Sequence, residues 1–173
     1  MKHRTIIAVA AALAAVIAFS SGVAYASGIS QSGTQSSVQI FTGDNAAWTI
    51  NTVATWSDIP SAAAAVTVPS GTTRVVDARF TAESLCNGTS TAWCVVRIII
   101  VNSAGTATEF SPVVGVDFKF DTPGTQEAAH GLERFSPSLA SGTYTVKAQA
   151  LRISGITTFT LDDYVLAVNV VNP

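Results

Sequence analysis

Cys86 and Cys94 are the only cysteines of the chain, and their spacing is its clearest chemical feature. Seven residues separate them, including the turn-forming pair Asn87-Gly88, and apolar segments lie on both sides. A hairpin with this loop would bring the two sulfurs within disulfide distance. A metal site would need two further ligands, and beyond residue 26 the sequence offers only His130 and carboxylates. We therefore predict a disulfide that staples a hairpin, in an oxidising compartment.

Hydrolytic chemistry would depend on His130, because the other histidine lies at position 3. A catalytic triad places a histidine between a nucleophile and a carboxylate. The Gly-x-Ser-x-Gly pattern of a nucleophile elbow does not occur in the sequence, and the residues around His130 are typical of an ordinary strand. The sequence therefore predicts no catalytic residue and no enzyme activity.

Asp162 and Asp163 are adjacent carboxylates in the last apolar segment. Apolar residues occupy odd positions before this pair, at Phe159 and Leu161, and even positions from Tyr164 onward. Such a change of parity predicts a β-bulge. A bulge that turned both carboxylates to one side could bind calcium, the one cofactor that the sequence suggests. The alternative is a bulge that is simply solvated.

Arg97 lies within a segment, residues 95–101, that is apolar on both faces. A partly shielded guanidinium requires a partner that accepts its hydrogen bonds. Asp163 is the preferred partner, because the bulge could turn one acid onto the sheet. Asp117 is the alternative, since it lies in a clearly alternating segment. We expect a buried ion pair between Arg97 and one of these two aspartates.

Three aromatic side chains, Trp48, Trp56 and Tyr164, could form a platform on which sugar rings stack. Aromatic residues of β-sandwiches also belong to the hydrophobic core, and this alternative stays open from the sequence alone.

The elements that must position these residues have the period of β-strands. Apolar and polar residues alternate through most of the chain, and turn-forming residues separate the alternating segments. About eight strands at this spacing favour an antiparallel β-sandwich of jelly-roll type over an immunoglobulin-like one, because the cysteine pair is local. The alternating segments are residues 64–68, 76–86, 94–101, 114–120, 128–135, 144–150 and 159–171, with a weaker one at 38–41.

The N-terminal region has the pattern of an export signal. Lys2 and Arg4 precede an apolar run, and Ala24-Tyr25-Ala26 fits a signal-peptidase site, so we predict a signal peptide over residues 1–26. An uncleaved anchor is the alternative. Residues 27–37 are small and polar and predict a flexible segment, followed by a β-sandwich domain over residues 38–173.

Charge excludes several classes of partner. Loss of Lys2 and Arg4 leaves seven basic residues against eleven acidic ones, a net charge of about −4 without any basic block. This pattern argues against nucleic acid and against a membrane surface after cleavage. We expect a secreted protein.

The strand and cysteine pattern resembles that of small exported bacterial proteins to which no activity is assigned. The residues that carry this resemblance are Phe80-Thr-Ala-Glu-Ser-Leu-Cys86, Trp93-Cys94-Val-Val-Arg97, and Phe159-Thr-Leu-Asp-Asp-Tyr-Val-Leu166. The last of these also resembles the closing strand of jelly-roll carbohydrate-binding modules. That resemblance implies that Asp162 or Asp163, ahead of Tyr164, could help to hold a structural calcium ion.

Three functional hypotheses follow. The first is an exported, non-enzymatic binding or structural module whose extracellular ligand is a glycan or a protein. The second is a carbohydrate-binding module assisted by calcium. The third is a secreted hydrolase that uses His130.

Overall fold

The structure of the chain is a computed structural model that describes residues 34–43, 47–113 and 115–172. The signal peptide predicted for residues 1–26 lies outside the described residues. Strand β1 begins at Thr34, so the last four residues of the segment predicted to be flexible belong to a strand instead. In the described part of the chain, no helix is long and apolar enough to cross a membrane.

Nine strands form two antiparallel sheets within the described residues. Sheet A has the order β1-β9-β4-β7, with β2 also paired to β9, and sheet B has the order β3-β8-β5-β6. This is the strand order of a jelly roll, as predicted. The strands are β1 (Thr34–Gly43), β2 (Trp48–Ile50), β3 (Ser57–Val68), β4 (Val75–Gly88), β5 (Cys94–Asn102), β6 (Ala107–Glu109), β7 (Ala128–Phe135), β8 (Gly142–Arg152) and β9 (Ile156–Asn172).

The core lies between the two sheets and follows the period of two. On β4, the inward residues Val76, Ala78 and Phe80 are fully buried, whereas Arg79 and Thr81, which point to the other face, are exposed. Strand β5 is buried on both faces, as its sequence predicts, and the ring of Trp56, in the loop before β3, covers Arg97 on its outer side. The alternation of apolar and polar residues therefore forms the hydrophobic core between the sheets. Strand β5 departs from this pattern only where a loop also buries its outer face.

One predicted strand is absent. Residues 115–120 form turns and irregular backbone, and Phe120 is buried whereas Val116 is 46% exposed. The backbone of this segment pairs locally with Cys94, through Phe120 N to Cys94 O at 2.9 Å. The segment crosses from the edge of sheet B to sheet A, and such a crossing is incompatible with a continuous ladder.

The disulfide between Cys86 and Cys94 is present, with a Cα–Cα distance of 6.0 Å. The hairpin predicted around it is wrong, because β4 pairs with β7 and β9 in sheet A, whereas β5 pairs with β6 and β8 in sheet B. The turn between the cysteines carries the chain from one sheet to the other. The disulfide therefore ties the two sheets together at one end of the sandwich.

Candidate functional site

The outer face of sheet A carries a groove of about 410 Å³, here called the His130 groove. It spans neighbouring positions on β4, β7 and β9. Its lining includes Thr81, Glu83, Ala129, His130, Gly131 and Asp163.

Strand register explains why these residues meet. Gly131 lies opposite Thr81 on β4, and β4 pairs with β9 on its other side. A Cβ atom at Gly131 would lie 3.1 Å from the Thr81 Cγ2 atom, so the glycine keeps the floor of the groove open. The wall on the β9 side is Asp163, which has a left-handed backbone with φ of 45°.

The β9 wall is the bulge that the change of parity predicts. The register between β4 and β9 shifts between Thr81 and Glu83, where β9 has one residue more than β4. The backbone N–H of Asp163 donates to the Asp162 Oδ1 atom at 2.9 Å, which stabilises the left-handed turn. Asp163 is exposed as a result and adds a second carboxylate to the groove beside Glu83.

A buried polar cluster lies beneath His130. The Ser84 hydroxyl is in a residue only 1% exposed and donates to the Asp121 Oδ2 atom at 2.8 Å. The Nδ1 atom of His130 lies 3.0 Å from Ser84 Oγ and 3.0 Å from the carbonyl oxygen of Ala128. The Nε2 atom lies 3.8 Å from Asp121 Oδ1.

This cluster contains the residue types of a hydrolase triad but not their arrangement. A carbonyl oxygen can only accept, so the contact with Ala128 places the proton of His130 on Nδ1. Nδ1 therefore cannot take the proton of Ser84, which is already directed at Asp121. The arrangement holds the imidazole on the inner face of sheet A, the same side as Ala82 and 5.7 Å from the ring of Phe120, and satisfies a buried carboxylate.

The disulfide end of the sandwich positions Asp121. The backbone N–H of Cys94 donates to Asp121 O at 2.9 Å, and that of Gly124 donates to Cys86 O at 3.0 Å. Both cysteines thus hold the segment that carries the carboxylate. The disulfide is connected through Asp121 and Ser84 to the imidazole of His130.

No family model matches this sequence, and no curated protein matches it. Among solved structures, a chain in the "Structure of infectious bursal disease virus Gx strain" is similar over 78% of this chain, at 12% identity and a TM-score of 0.44. This chain spans 32% of the length of that one. A similarity this weak carries no argument about function.

Arg97 has a different partner from the two aspartates predicted. Its guanidinium donates to Gln149 Oε1 from Nε at 2.9 Å and from Nη2 at 2.7 Å, and it contacts Glu109 Oε2 at 3.5 Å. Asp163 lies on the other sheet and Asp117 in the exposed loop after β6, so neither pairs with Arg97. Burial lowers the pKa of Arg97, and the charge of Glu109 opposes this effect.

The predicted aromatic platform is not formed. Tyr164 is 4% exposed, and its hydroxyl donates to the Pro60 carbonyl at 2.8 Å, so it belongs to the core. Trp48 packs against the same core from β2. Trp56 lies over Arg97 on the outer side of sheet B, with 4.0 Å between the guanidinium carbon and the ring centroid. The three rings serve separate packing roles.

Calcium binding at Asp162 and Asp163 stays a prediction. In the part of the chain that the structure describes, no three His, Cys, Asp or Glu side chains come together as a metal site. One oxygen of Asp162 accepts the Asp163 N–H, and the Asp163 carboxylate lines the groove. Calcium takes six to eight oxygen ligands, so the remaining ligands would have to be main-chain oxygens or water.

Sequence reasoning missed Ser84 and Asp121 as members of a functional cluster. A signal for Ser84 was present, because it shares the inward parity of Phe80, Ala82 and Cys86 and is the only polar residue among them. Asp121 had no comparable signal. Its position depends on the crossing of residues 115–120, which the sequence predicts as a strand.

Proposed function

We propose that this chain is an exported, non-enzymatic β-sandwich that binds an extracellular ligand in the His130 groove. The observation that carries the proposal is the conformation of the groove. A glycine floor and a left-handed bulge residue leave an open depression on an otherwise regular sheet, and the hydrogen bond from the Asp163 N–H to Asp162 Oδ1 holds the bulge. Such supporting interactions are typical of binding sites, because they fix the side chains that contact a ligand.

The groove is rich in hydrogen-bond acceptors. Glu83 and Asp163 supply carboxylates, Thr81 supplies a hydroxyl, and no aromatic side chain is among its lining residues. A ligand that presents donors fits this chemistry, either hydroxyl groups of a glycan or cationic side chains of a protein. The absence of a stacking ring from that lining favours recognition by hydrogen bonds over the ring stacking of the second hypothesis.

Hydrolysis receives little support from the cluster, since Ser84 is buried and its proton is directed at Asp121. A substrate screen for esterase, peptidase and glycosidase activity tests this directly, with His130→Ala as the comparison. Turnover that disappears in His130→Ala would contradict the proposal. Binding to a glycan array or to an array of basic peptides, without turnover, would support it.

Export is part of the proposal. The disulfide indicates an oxidising environment, and the N-terminal pattern predicts cleavage before Ser27. Intact-mass measurement of the protein recovered from culture medium tests the site. A mass that retains residues 1–26 would contradict it.

A further inference from the structure

In the described part of the chain, four of the five edge strands carry features that prevent pairing with another chain. Natural sheets protect their edges with charge, proline, bulges or short strands. Strand β7 carries Glu133 and Arg134, and β2 and β6 have three residues each. Strand β3 contains Asp58, Pro60 and an irregular register between residues 58 and 63.

Strand β1 has almost none of this protection. Its ten residues include no charged residue and no proline. The register shift between Gln35 and Ser37 affects only its first part, and Ser37 to Gly43 then pair regularly with β9. Among the described residues, no strand pairs with β1 on its other side.

Two apolar side chains on the outer face of β1 are exposed to solvent. Val38 and Ile40 are 52% and 63% exposed. Ala167 of β9, which lies opposite Ile40, is 9% exposed, so Val38 and Ile40 of β1 form the apolar surface at this edge. The inner side of β1 is fixed to sheet B, because Gln39 Nε2 donates to Ala65 O at 2.8 Å.

We propose that β1 is the interface of a homodimer, in which the β1 strands of two copies pair antiparallel and join two A sheets into one. A register with Gln39 on the two-fold axis places Val38 of each copy opposite Ile40 of the other, so both apolar side chains gain a cross-strand neighbour.

Charge favours a second copy as the occupant. The chain that remains after the predicted cleavage has a net charge of about −4, so two copies would repel each other through surfaces that carry acidic side chains. An uncharged strand pairs with itself without placing like charges opposite each other, and the unpaired backbone groups of each edge satisfy those of the other. The surface is on a different strand from every lining residue of the His130 groove, so both sites can be occupied together.

Sedimentation equilibrium of the secreted full chain tests the dimer. Ile40→Lys places a charge at the pairing edge, and Val113→Lys is the matched control because Val113 is 62% exposed and lies outside β1. We expect a dimer whose dissociation constant rises at least about tenfold in Ile40→Lys and stays unchanged in Val113→Lys. A wild-type chain that is monomeric at its solubility limit would overturn the proposal and leave β1 available to an extended segment of another protein. An equal effect of both substitutions would also overturn it.

Cross-linking tests the pairing independently of stability. The variants Val38→Cys and Ile40→Cys are mixed under mild oxidation, and the native disulfide does not interfere because Cys86 and Cys94 are 1% and 0% exposed. The mixture should form a disulfide-linked dimer faster than either variant alone. Equal rates in all three samples, or no cross-linked dimer, would overturn the proposed pairing.

Discussion

Removing the disulfide should weaken the sandwich without changing its fold. The bond closes a loop of nine residues, from Cys86 to Cys94, and loss of that closure costs roughly 2.5 kcal/mol on the chain-entropy model. Both sulfurs are buried, at 1% and 0% exposure, so the replacement residue also matters. Paired alanines remove the bond and little else. Paired serines also bury two hydroxyls, each of which costs about 1–3 kcal/mol if it finds no partner.

The prediction is therefore a ranking that urea unfolding can measure. Cys86→Ala with Cys94→Ala should lose about 2.5–4 kcal/mol of the free energy of unfolding, which lowers Tm by about 5–15 °C for a domain of this size. The corresponding double serine variant should lose more. The urea slope should increase in both, because the unfolded chain becomes more extended. A loss below about 1 kcal/mol in the alanine variant, or equal losses in both variants, would refute the reasoning.

Three further outcomes follow from the contacts. A double-mutant cycle on Arg97→Met and Glu109→Gln should show a coupling energy of about 1 kcal/mol, whereas a cycle on Arg97→Met and Asp163→Asn should show none. Coupling to Asp163 without coupling to Glu109 would mean that Asp163 is the partner of Arg97 after all. Ser84→Ala should cost about 1.5–3 kcal/mol in chemical unfolding, because Asp121 loses a buried donor; a neutral effect would mean that the bond is not formed. Burial raises the pKa of Asp58, but hydrogen bonds from Lys147 and Gln149 outweigh this effect and leave the pKa below the usual value of 3.8. The ionised carboxylate should therefore stabilise the fold fully above pH 3.8, and this stabilisation should be lost as the pH falls below that value. Asp58→Asn should flatten the curve of unfolding free energy against pH in this range, and an unchanged curve would contradict the reasoning.

Alternation of residue types was sufficient to predict the sheets and their type of packing. Two features depend only on the local sequence pattern, and both are present in the structure: the buried apolar face of β4, at Val76, Ala78 and Phe80, and the β-bulge at Asp162. The disulfide was predictable for a similar reason, since only two cysteines exist. Its hairpin was not, because the sequence does not determine whether a short turn pairs two strands or connects two sheets.

The candidate site was less predictable because its members meet through long-range pairing. His130 and Ser84 are 46 residues apart, and Asp163 reaches the same groove from the last strand. The partner of Arg97 was wrong for the same reason. A charged residue on a strand indicates that an acceptor is needed, but its identity depends on the order of strands, which places Gln149 and β6 beside Arg97 and puts Asp163 on the other sheet.

Binding at the His130 groove is the central claim, and paired isosteric substitutions measured against the same ligand arrays test it most directly. Glu83→Gln and Asp163→Asn remove acceptors that line the groove, and Glu133→Gln removes an exposed carboxylate from β7 outside that lining. We predict that the wild-type chain retains a glycan or a basic peptide, that each groove substitution weakens its binding by about tenfold, and that Glu133→Gln leaves it unchanged. Binding that is insensitive to both groove substitutions, or equally sensitive to Glu133→Gln, would contradict the claim.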